Sequence, residues 1–556
     1  MTIVGGRAVA AEDNPAFFFG VDLSYVNEMD DCGAVYRVHG EVRDAFEIFA
    51  EYGASLVRAR LWHNPDWTDY STLADVKRTF QRAVNAGMAT LLDFHYSDNW
   101  ADPRRQEIPA AWEQIKDAGQ LAEAVYQYTY NALFDLYHDD LTPSFVQIGN
   151  ETNSGLLKHE GEDLDWGYAE PLFNAGIRAV RDFARETSTN PQVILHIAQP
   201  ENAGWWFTEA ETVGLTDFDV IGISYYPQWS TFSIADMGAQ VSYLRQRFGK
   251  NVMVVETAYA WTRDSVNETA DNILNQGIRG YGFTPEGQRR FMIDLTQSLI
   301  SNGASGVVYW EPGWVSTQCS TRWGQGSHWE NATLFDFHNG NEVLEGIDFL
   351  NHDYWYPEFV PDGVIDSSFG EPLIEDSLGD VLDGIPAFDL SQLYVIADQY
   401  SLSMALTLAG DVYSERGNYL IYLDTTHDIL GADGDPARRP ITAADPYHPE
   451  FRLDVTIQEE RGTVSGSYVL NAWIDNQWET ITFTGGAAIT TGKRSVIELQ
   501  IPRILLRNPE ELNIAVISSN RGQASTAGDI LGTDDRPADW SDPLVLDVFH
   551  PYRLPD

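Results

Sequence analysis

The chain has 556 residues, 43% of them hydrophobic, and carries a formal net charge of −48. That length calls for two or three domains, and the apolar share excludes a disordered chain. The negative charge argues against a nucleic-acid partner, which needs clustered Lys and Arg, and no run approaches the ~18 unbroken apolar residues of a membrane span.

Residues 1–14 lack the apolar centre of a secretory signal, so an export signal, if the protein has one, is expected to be missing from this sequence. From residue 17 to about 350, short apolar runs alternate with longer helical patterns, the signature of repeated βα units. Strands are expected at 17–24, 55–61, 88–94, 143–149, 192–198, 218–224, 251–256 and 304–310. Eight is the number of a closed (β/α)8 TIM barrel. Segments 72–86, 121–137 and 285–302 carry apolar residues at three- and four-residue spacing, as outer-layer helices do.

The stretch that follows is rich in Asp, Pro and Gly and reads as a linker. Beyond it, short alternating strands at 418–423, 451–457, 465–474 and 495–501 follow one another without helices, which suggests a β-sandwich. The expected architecture is therefore α/β: a barrel over 15–352, a linker over 353–385 and an all-β sandwich accessory domain over 386–556. An acidic loop in the sandwich presents Asp424, Asp433 and Asp435, which either hold a structural calcium or are simply solvated, since their spacing is not that of an EF-hand.

The chemistry collects at the strand ends. In chain order they present Asp22, Arg58 and Arg60, then Asp93, His95 and Asp98, then Asn150 and Glu151, then His196, Tyr225 and Tyr226, Glu256, and finally Trp310 and Glu311. Glu151 and Glu256 are 105 residues apart, which fits three βα units of roughly 31 residues in a barrel of about 250. Both would then face one cleft at the C-terminal rim. Two carboxylates across a cleft are what glycoside hydrolysis needs, one to protonate the leaving oxygen and one to attack or to activate water. Each residue alone has a structural reading: a single Glu after a strand is commonly an ion-pair partner, and Trp310 alone would be core.

These strings resemble glycoside hydrolase family 53, the endo-β-1,4-galactanases of the large retaining (β/α)8 clan, over roughly residues 17–350. The resemblance rests on Gly20-Val-Asp22, Val57-Arg-Ala-Arg-Leu-Trp62, Asp93-Phe-His-Tyr-Ser-Asp-Asn-Trp-Ala-Asp-Pro103, Ile148-Gly-Asn-Glu151, Gly222-Ile-Ser-Tyr-Tyr-Pro227, Val255-Glu-Thr257 and Tyr309-Trp-Glu-Pro312. It implies that Glu151 is the general acid/base and Glu256 the nucleophile, acting on galactan or type I arabinogalactan of pectin. Arg58 would keep Glu256 ionised. Asn150 would bond the sugar 2-hydroxyl. Tyr225 would orient Glu256, and Trp310 would be a platform for the sugar. His95, Asp98 and Trp100 are expected on the glycone side, with Asp22 and Asp93 also at the substrate. His196 is either a sugar contact or a core histidine. Two departures from the family pattern, His196-Ile-Ala198 and Gly155-Leu-Leu-Lys158, fall on sugar contacts and bear on subsite affinity and product length.

The other classes the residues leave open are a mannanase or cellulase on the same scaffold and a non-catalytic carbohydrate-binding barrel. The reaction needs no cofactor, and a monomer is expected. Five Lys (77, 116, 158, 250, 493) stand against 30 Arg. A globular protein this acidic repels itself in dilute buffer, whereas a Debye length of ~3 Å at 1 M salt screens that repulsion, so the surface reads as salt-adapted in the haloarchaeal manner. The two cysteines, Cys32 and Cys319, follow the first and last barrel strands, which are neighbours in a closed barrel. A disulfide between them is expected, and with it an oxidising, extracellular location.

Overall fold

A computed structural model describes residues 17–158, 162–266, 271–357, 359–460, 463–522 and 525–555. Residues 1–14, considered above for an export signal, lie outside them. Eight parallel strands close into a barrel: β1 (Phe18–Asp22), β2 (Leu56–Leu61), β3 (Ala89–Phe94), β4 (Phe145–Ile148), β5 (Gln192–Ala198), β6 (Val220–Ser224), β7 (Asn251–Thr257) and β8 (Gly306–Tyr309), with β8 pairing back onto β1. The outer layer holds α1 (Ala45–Glu51), α2 (Leu73–Asn85), α3 (Ala118–His138), α4 (Trp166–Thr187), α5 (Pro200–Thr212), α6 (Ile234–Phe248) and α7 (Pro285–Ser301). After β8 the chain substitutes a 3-10 turn, Glu345–Leu350, which packs on α7.

Helix starts follow local chemistry. Asp44, Thr72, Asp117, Asp165, Ser233 and Thr284 each accept backbone N–H groups of the turn they precede, and Ser233 with Asp236 completes a capping box at α6.

Alternation along the strands builds the barrel interior in layers. Leu56, Leu91, Phe145, Ile194, Val220, Met253 and Val308 form an apolar plug. Two residues further on, β2 to β5 turn Arg58, Asp93, Gln147 and His196 inward, because side chains on one strand face repeat every second position. The plug thus supports a polar floor at the C-terminal end. Gly20 on β1 allows the close approach of β8, since a Cβ there would lie 2.7 Å from Val308 Cγ2.

The disulfide is present: Cys32 and Cys319 are joined, with their Cα atoms 5.8 Å apart.

The C-terminal part has two antiparallel layers. One runs Ile374–Glu375, Leu390–Ala397, Ser401–Leu408, Val496–Pro502, Gly486–Thr490; the other runs Gln477–Ile481, Thr463–Ile474, Phe451–Glu460, Gly417–Asp424, Glu511–Asn520, Asp529–Ile530, with His550–Arg553 also on Glu511–Asn520. Leu393, Met404, Leu406, Ile421, Leu453, Leu470, Leu499 and Val516 fill the space between them. The segment 353–385, expected as a linker, is partly built into this unit. Ile374 and Glu375 pair with Leu393 and Gln392, and Asp362 and Gly363 donate their N–H groups to buried Glu498. Low periodicity hid a strand of two residues, too short to show alternation.

Barrel and sandwich share a packed face. Ala235 of α6 belongs to the sandwich core, Asn302 after α7 donates to the Gly485 carbonyl and accepts the Ala487 N–H, and Tyr281 Oη lies 3.1 Å from Thr482 Oγ1.

The acidic loop does not assemble its three carboxylates around one point. Asp435 is paired with Arg452 and takes the Tyr422 hydroxyl, Asp424 accepts from Asn513 and the His427 N–H, and Asp433 is exposed. Of the two readings left open for this loop, calcium or solvation, the ion pair between Asp435 and Arg452 leaves Asp435 already provided with a counter-charge.

Candidate active site

The C-terminal rim carries a cleft of about 570 Å³ lined by Glu151 and Glu256 together with Trp100, Asp102, Asn150, Tyr226, Trp310 and Trp329. Glu151 arrives on a tight turn. Gly149 has φ +84°, where a Cβ would lie 2.5 Å from Thr152 Cγ2, and Glu151 itself has φ +45°. A non-glycine residue in this region is strained unless its surroundings hold it. Here the Glu151 N–H donates to His196 Nδ1, the Thr152 N–H to the His196 carbonyl, and Gln106 Nε2 to the Asn150 carbonyl.

Arg58, 1% exposed, organises the floor. Its Nη1 donates to Asp22 Oδ2 at 2.8 Å, and its Nη2 meets Asp93 Oδ2 at 2.9 Å, Asn150 Oδ1 at 2.8 Å and Glu256 Oε1 at 2.8 Å. Burial opposes the Arg58 charge, but Asp93, Glu256 and Asp22 overcome it and raise its pKa. Burial raises the Asp93 carboxyl, but Arg58 together with His95 and His196 more than offsets it and holds that carboxyl low. The Ala101 N–H donates to His95 Nδ1, which leaves Nε2 as the donor to Asp93, 3.0 Å away.

Behind Glu151 sits His196, fully buried. Its Nδ1 accepts from Gln147 Nε2 and from the Glu151 N–H, so Nε2 carries the hydrogen and donates to Ser224 Oγ at 2.8 Å. Burial holds this imidazole neutral, far below its usual pKa, with Arg58 adding to the effect. The Ser224 hydroxyl is then free to donate to the Glu151 carboxylate. Burial nevertheless pushes Glu151 up to about 7, with Asp102 and Asp93 adding to the rise and Ser224 and Arg58 opposing it.

Burial also pushes Glu256 up, against the pull of Arg58 and with help from Glu151, Asp93 and Asp22. Two acids in one cleft titrate as a pair. Arg58 and the Tyr226 hydroxyl contact Glu256, while no cation contacts Glu151 among the described residues. The first proton to leave the pair therefore leaves Glu256, and Glu151 keeps the other. One carboxylate and one carboxylic acid facing a common cleft is the arrangement for nucleophile and general acid.

Several of the expected substrate contacts have protein partners of their own. Asp22 and Asp93 are fully buried and hold Arg58, and His95 braces Asp93. His196 is fully buried and supports the Glu151 turn from below. Asp98 accepts the Asn64 and Ala110 N–H groups and ties two rim loops together. Asn150, Trp100 and Trp310 do line the cleft; Asn150 Nδ2 uses one hydrogen on the Ala101 carbonyl.

The expected role of Tyr225 passes to its neighbour. Tyr225 is buried with its hydroxyl on the Phe232 carbonyl, and Tyr226 donates to Glu256 Oε2 at 3.3 Å. Ser224 points inward, so alternation sends Tyr225 out and Tyr226 back in; that parity was readable in the sequence. Trp314, Trp323, His328 and Trp329, on the cleft wall after β8, had no strand pattern to reveal them.

Comparison with known proteins places this architecture. Residues 18–350 match the model of glycosyl hydrolase family 53. The chain is 50% identical over 348 residues to an arabinogalactan endo-beta-1,4-galactanase of Cellvibrio japonicus (strain Ueda107), covering 62% of this chain and 92% of that protein. An endo-beta-1,4-galactanase of Bacillus subtilis (strain 168) is 33% identical over 315 residues, 54% of this chain and 71% of that one. Among solved structures, the Ignisphaera aggregans GH53 catalytic domain superposes with a TM-score of 0.55 at 33% identity, covering 62% of this chain and 98% of that domain. On the matched family model and these relatives, the chain belongs to glycosyl hydrolase family 53.

Proposed function

We propose that this protein is a retaining endo-β-1,4-galactanase that cleaves β-1,4-galactosidic bonds in galactan and type I arabinogalactan. The observation that carries the reading is the placement in one cleft of Glu256, bound by Arg58 and Tyr226, and Glu151, which no cation contacts among the described residues and which is backed by His196 and Ser224. A galactosyl unit bound across the cleft meets both acids. Glu256 attacks the anomeric carbon while Glu151 gives its proton to the departing glycosidic oxygen, leaving a galactosyl ester on Glu256 and a carboxylate on Glu151. Glu151 then takes a proton from water, whose oxygen attacks the same carbon and releases Glu256. Two inversions retain the anomeric configuration. Arg58 remains on Glu256 throughout, and Trp310 offers an apolar face to the sugar ring.

The chemistry is complete with carboxyl groups and water, so no cofactor is required. The −48 charge and the scarcity of lysine support salt adaptation, and the disulfide supports an extracellular site of action.

The test is hydrolysis of linear β-1,4-galactan beside mannan and carboxymethylcellulose, in dilute buffer and in 2–4 M salt, with the anomer of the first product read by NMR. Release of β-configured galacto-oligosaccharides from galactan alone supports the reading. Turnover of mannan or cellulose in its place would move the chain to another β-1,4-glycanase specificity, and no turnover would make it a binding protein. Activity that falls in molar salt would refute the adaptation.

A further inference from the structure

Five aspartates converge where the segment after Ile374–Glu375 meets the strand Asp529–Ile530. They form two triads, Asp376 with Asp380 and Asp534, and Asp380 with Asp389 and Asp529; within each, one oxygen from every residue lies within 4.8 Å of the others. Asp380 belongs to both. Asp389 is 5% exposed and Asp529 1%.

Part of this anionic surface is satisfied by the backbone. Asp389 Oδ2 takes the Gly379 N–H at 2.9 Å, Asp529 takes the N–H groups of Leu390 and Ile530, and Asp376 Oδ1 takes that of Ser377. The rest is not. Asp389 Oδ1 is buried and accepts no hydrogen bond, and the two buried carboxylate oxygens of Asp380 have only their own N–H and the Asp534 carboxyl within reach. Arg536, the cation at hand, donates its Nε to the Asp380 backbone carbonyl. Buried carboxylate oxygens without donors are costly, and like charges packed together add to that cost, so such a cluster either protonates or takes a cation. The donors are all carboxylate oxygens, with no His or Cys, which selects a hard cation. Their irregular arrangement from two separate stretches of chain suits calcium, which accepts six to eight oxygens in flexible geometry, better than magnesium, which demands an octahedron.

We propose that Asp376, Asp380, Asp389, Asp529 and Asp534 form a calcium site in which Asp380 is shared between the two triads. The ion pins the chain between barrel and sandwich to the sandwich edge, and it replaces the acidic loop at Asp424, Asp433 and Asp435 as the place where the accessory unit holds metal. Burial and the neighbouring carboxylates push Asp376 up to about 6 and Asp529 up to about 7, as befits groups lacking a counter-charge.

The experiment uses the full chain, freed of metal with a chelator, with CaCl2 as the probe in calorimetric titration and thermal unfolding. Calcium should bind with measurable heat and raise the Tm of the sandwich transition by roughly 5 °C or more at a hundredfold excess over Kd. Asp380→Asn and Asp389→Asn should each lose that rise. In chelator both should unfold at or above the wild-type temperature, because each removes a repelling charge. Asp433→Asn, the exposed control, should keep the full response. A wild-type chain indifferent to CaCl2 overturns the proposal. So does a calcium response that survives in both cluster variants or disappears in Asp433→Asn, or an equal response to MgCl2. If one cluster variant fails to fold, the other decides.

Discussion

Arg58 Nη2 sits 2.8 Å from Glu256 Oε1, and the same nitrogen also meets Asp93 and Asn150. One guanidinium therefore fixes Glu256, the proposed nucleophile, relative to the floor of the barrel. Lysine keeps the charge but offers a single ammonium where Arg58 presents a planar fork. Arg58→Lys should lower kcat at least about 100-fold, since small misplacements of a reacting group cost that much. Arg58→Ala should in addition destabilise the fold by ~3–5 kcal/mol, because it leaves Asp22 and Asp93 buried and unpaired. Galactan turnover together with thermal unfolding checks both; an Arg58→Lys enzyme with unchanged kcat refutes the assignment.

With Glu151 as the proposed general acid, the alkaline limb of activity should report its ionisation. The step that expels the leaving group uses its protonated form, and its pKa is raised to about 7. As pH rises through that value the acid form is lost and kcat/KM falls, ultimately tenfold per pH unit. The Ser224 hydroxyl pulls this pKa down. Ser224→Ala should shift the alkaline limb to higher pH while leaving the acid limb, which reports Glu256, nearly in place. A limb that moves downward, or does not move, contradicts the Ser224–Glu151 bond.

How far the sequence revealed this site depends on which physical signal each residue leaves. The two glutamates end apolar runs at a spacing set by the βα repeat, so they were legible without any homologue. The cysteines were legible too, once strands one and eight were placed side by side. Asp22, Asp93 and His196 were found as residues but not as roles: a buried carboxylate under a cleft and one facing a sugar leave the same trace in a strand. Telling them apart takes the three-dimensional position of Arg58. The two-residue strand at Ile374–Glu375 and the tryptophan-bearing wall after β8 leave no periodic trace, because their places are set by tertiary contacts.

Tyrosines 225 and 226 offer a paired test of that reading. Tyr226→Phe removes the hydroxyl on Glu256 and should lower kcat by roughly tenfold or more, within the usual range for a lost contact at a reacting group. Tyr225→Phe removes a bond to the Phe232 carbonyl and should cost about 1 kcal/mol of stability with kcat unchanged. The opposite pattern in steady-state kinetics would restore the role first expected for Tyr225.

Truncation probes the shared face. The match to the Cellvibrio japonicus protein spans 92% of that relative and 62% of this chain, so a barrel-sized chain suffices there. Here α6 and the end of α7 are covered by the sandwich through Ala235 and Asn302. Deleting 353–556 should therefore leave galactan cleavage detectable but lower the Tm of the barrel and promote aggregation through the uncovered face. An isolated barrel as stable and soluble as the full chain would show that the contact contributes nothing.

The bond between Cys32 and Cys319 ties the loop after β1 to the loop after β8, beside the cleft wall that carries Trp314 and Trp323. It closes a loop with a sequence separation of 287 residues. In the chain-entropy model such a closure stabilises by roughly 6 kcal/mol before any strain, and measured losses for native disulfides run at about 2–5 kcal/mol. Cys32→Ser with Cys319→Ser should therefore lower the Tm by several degrees. Loosening the loop that carries Trp323 should also raise KM for galactan more than it lowers kcat, because the proposed reacting acids, Glu151 on the turn after β4 and Glu256 on β7, are held by the barrel floor and do not depend on the bond. Thiol titration of the denatured, unreduced wild type should find no free thiol. Two free thiols per chain would remove the bond and, with it, the support it lends to an extracellular site of action.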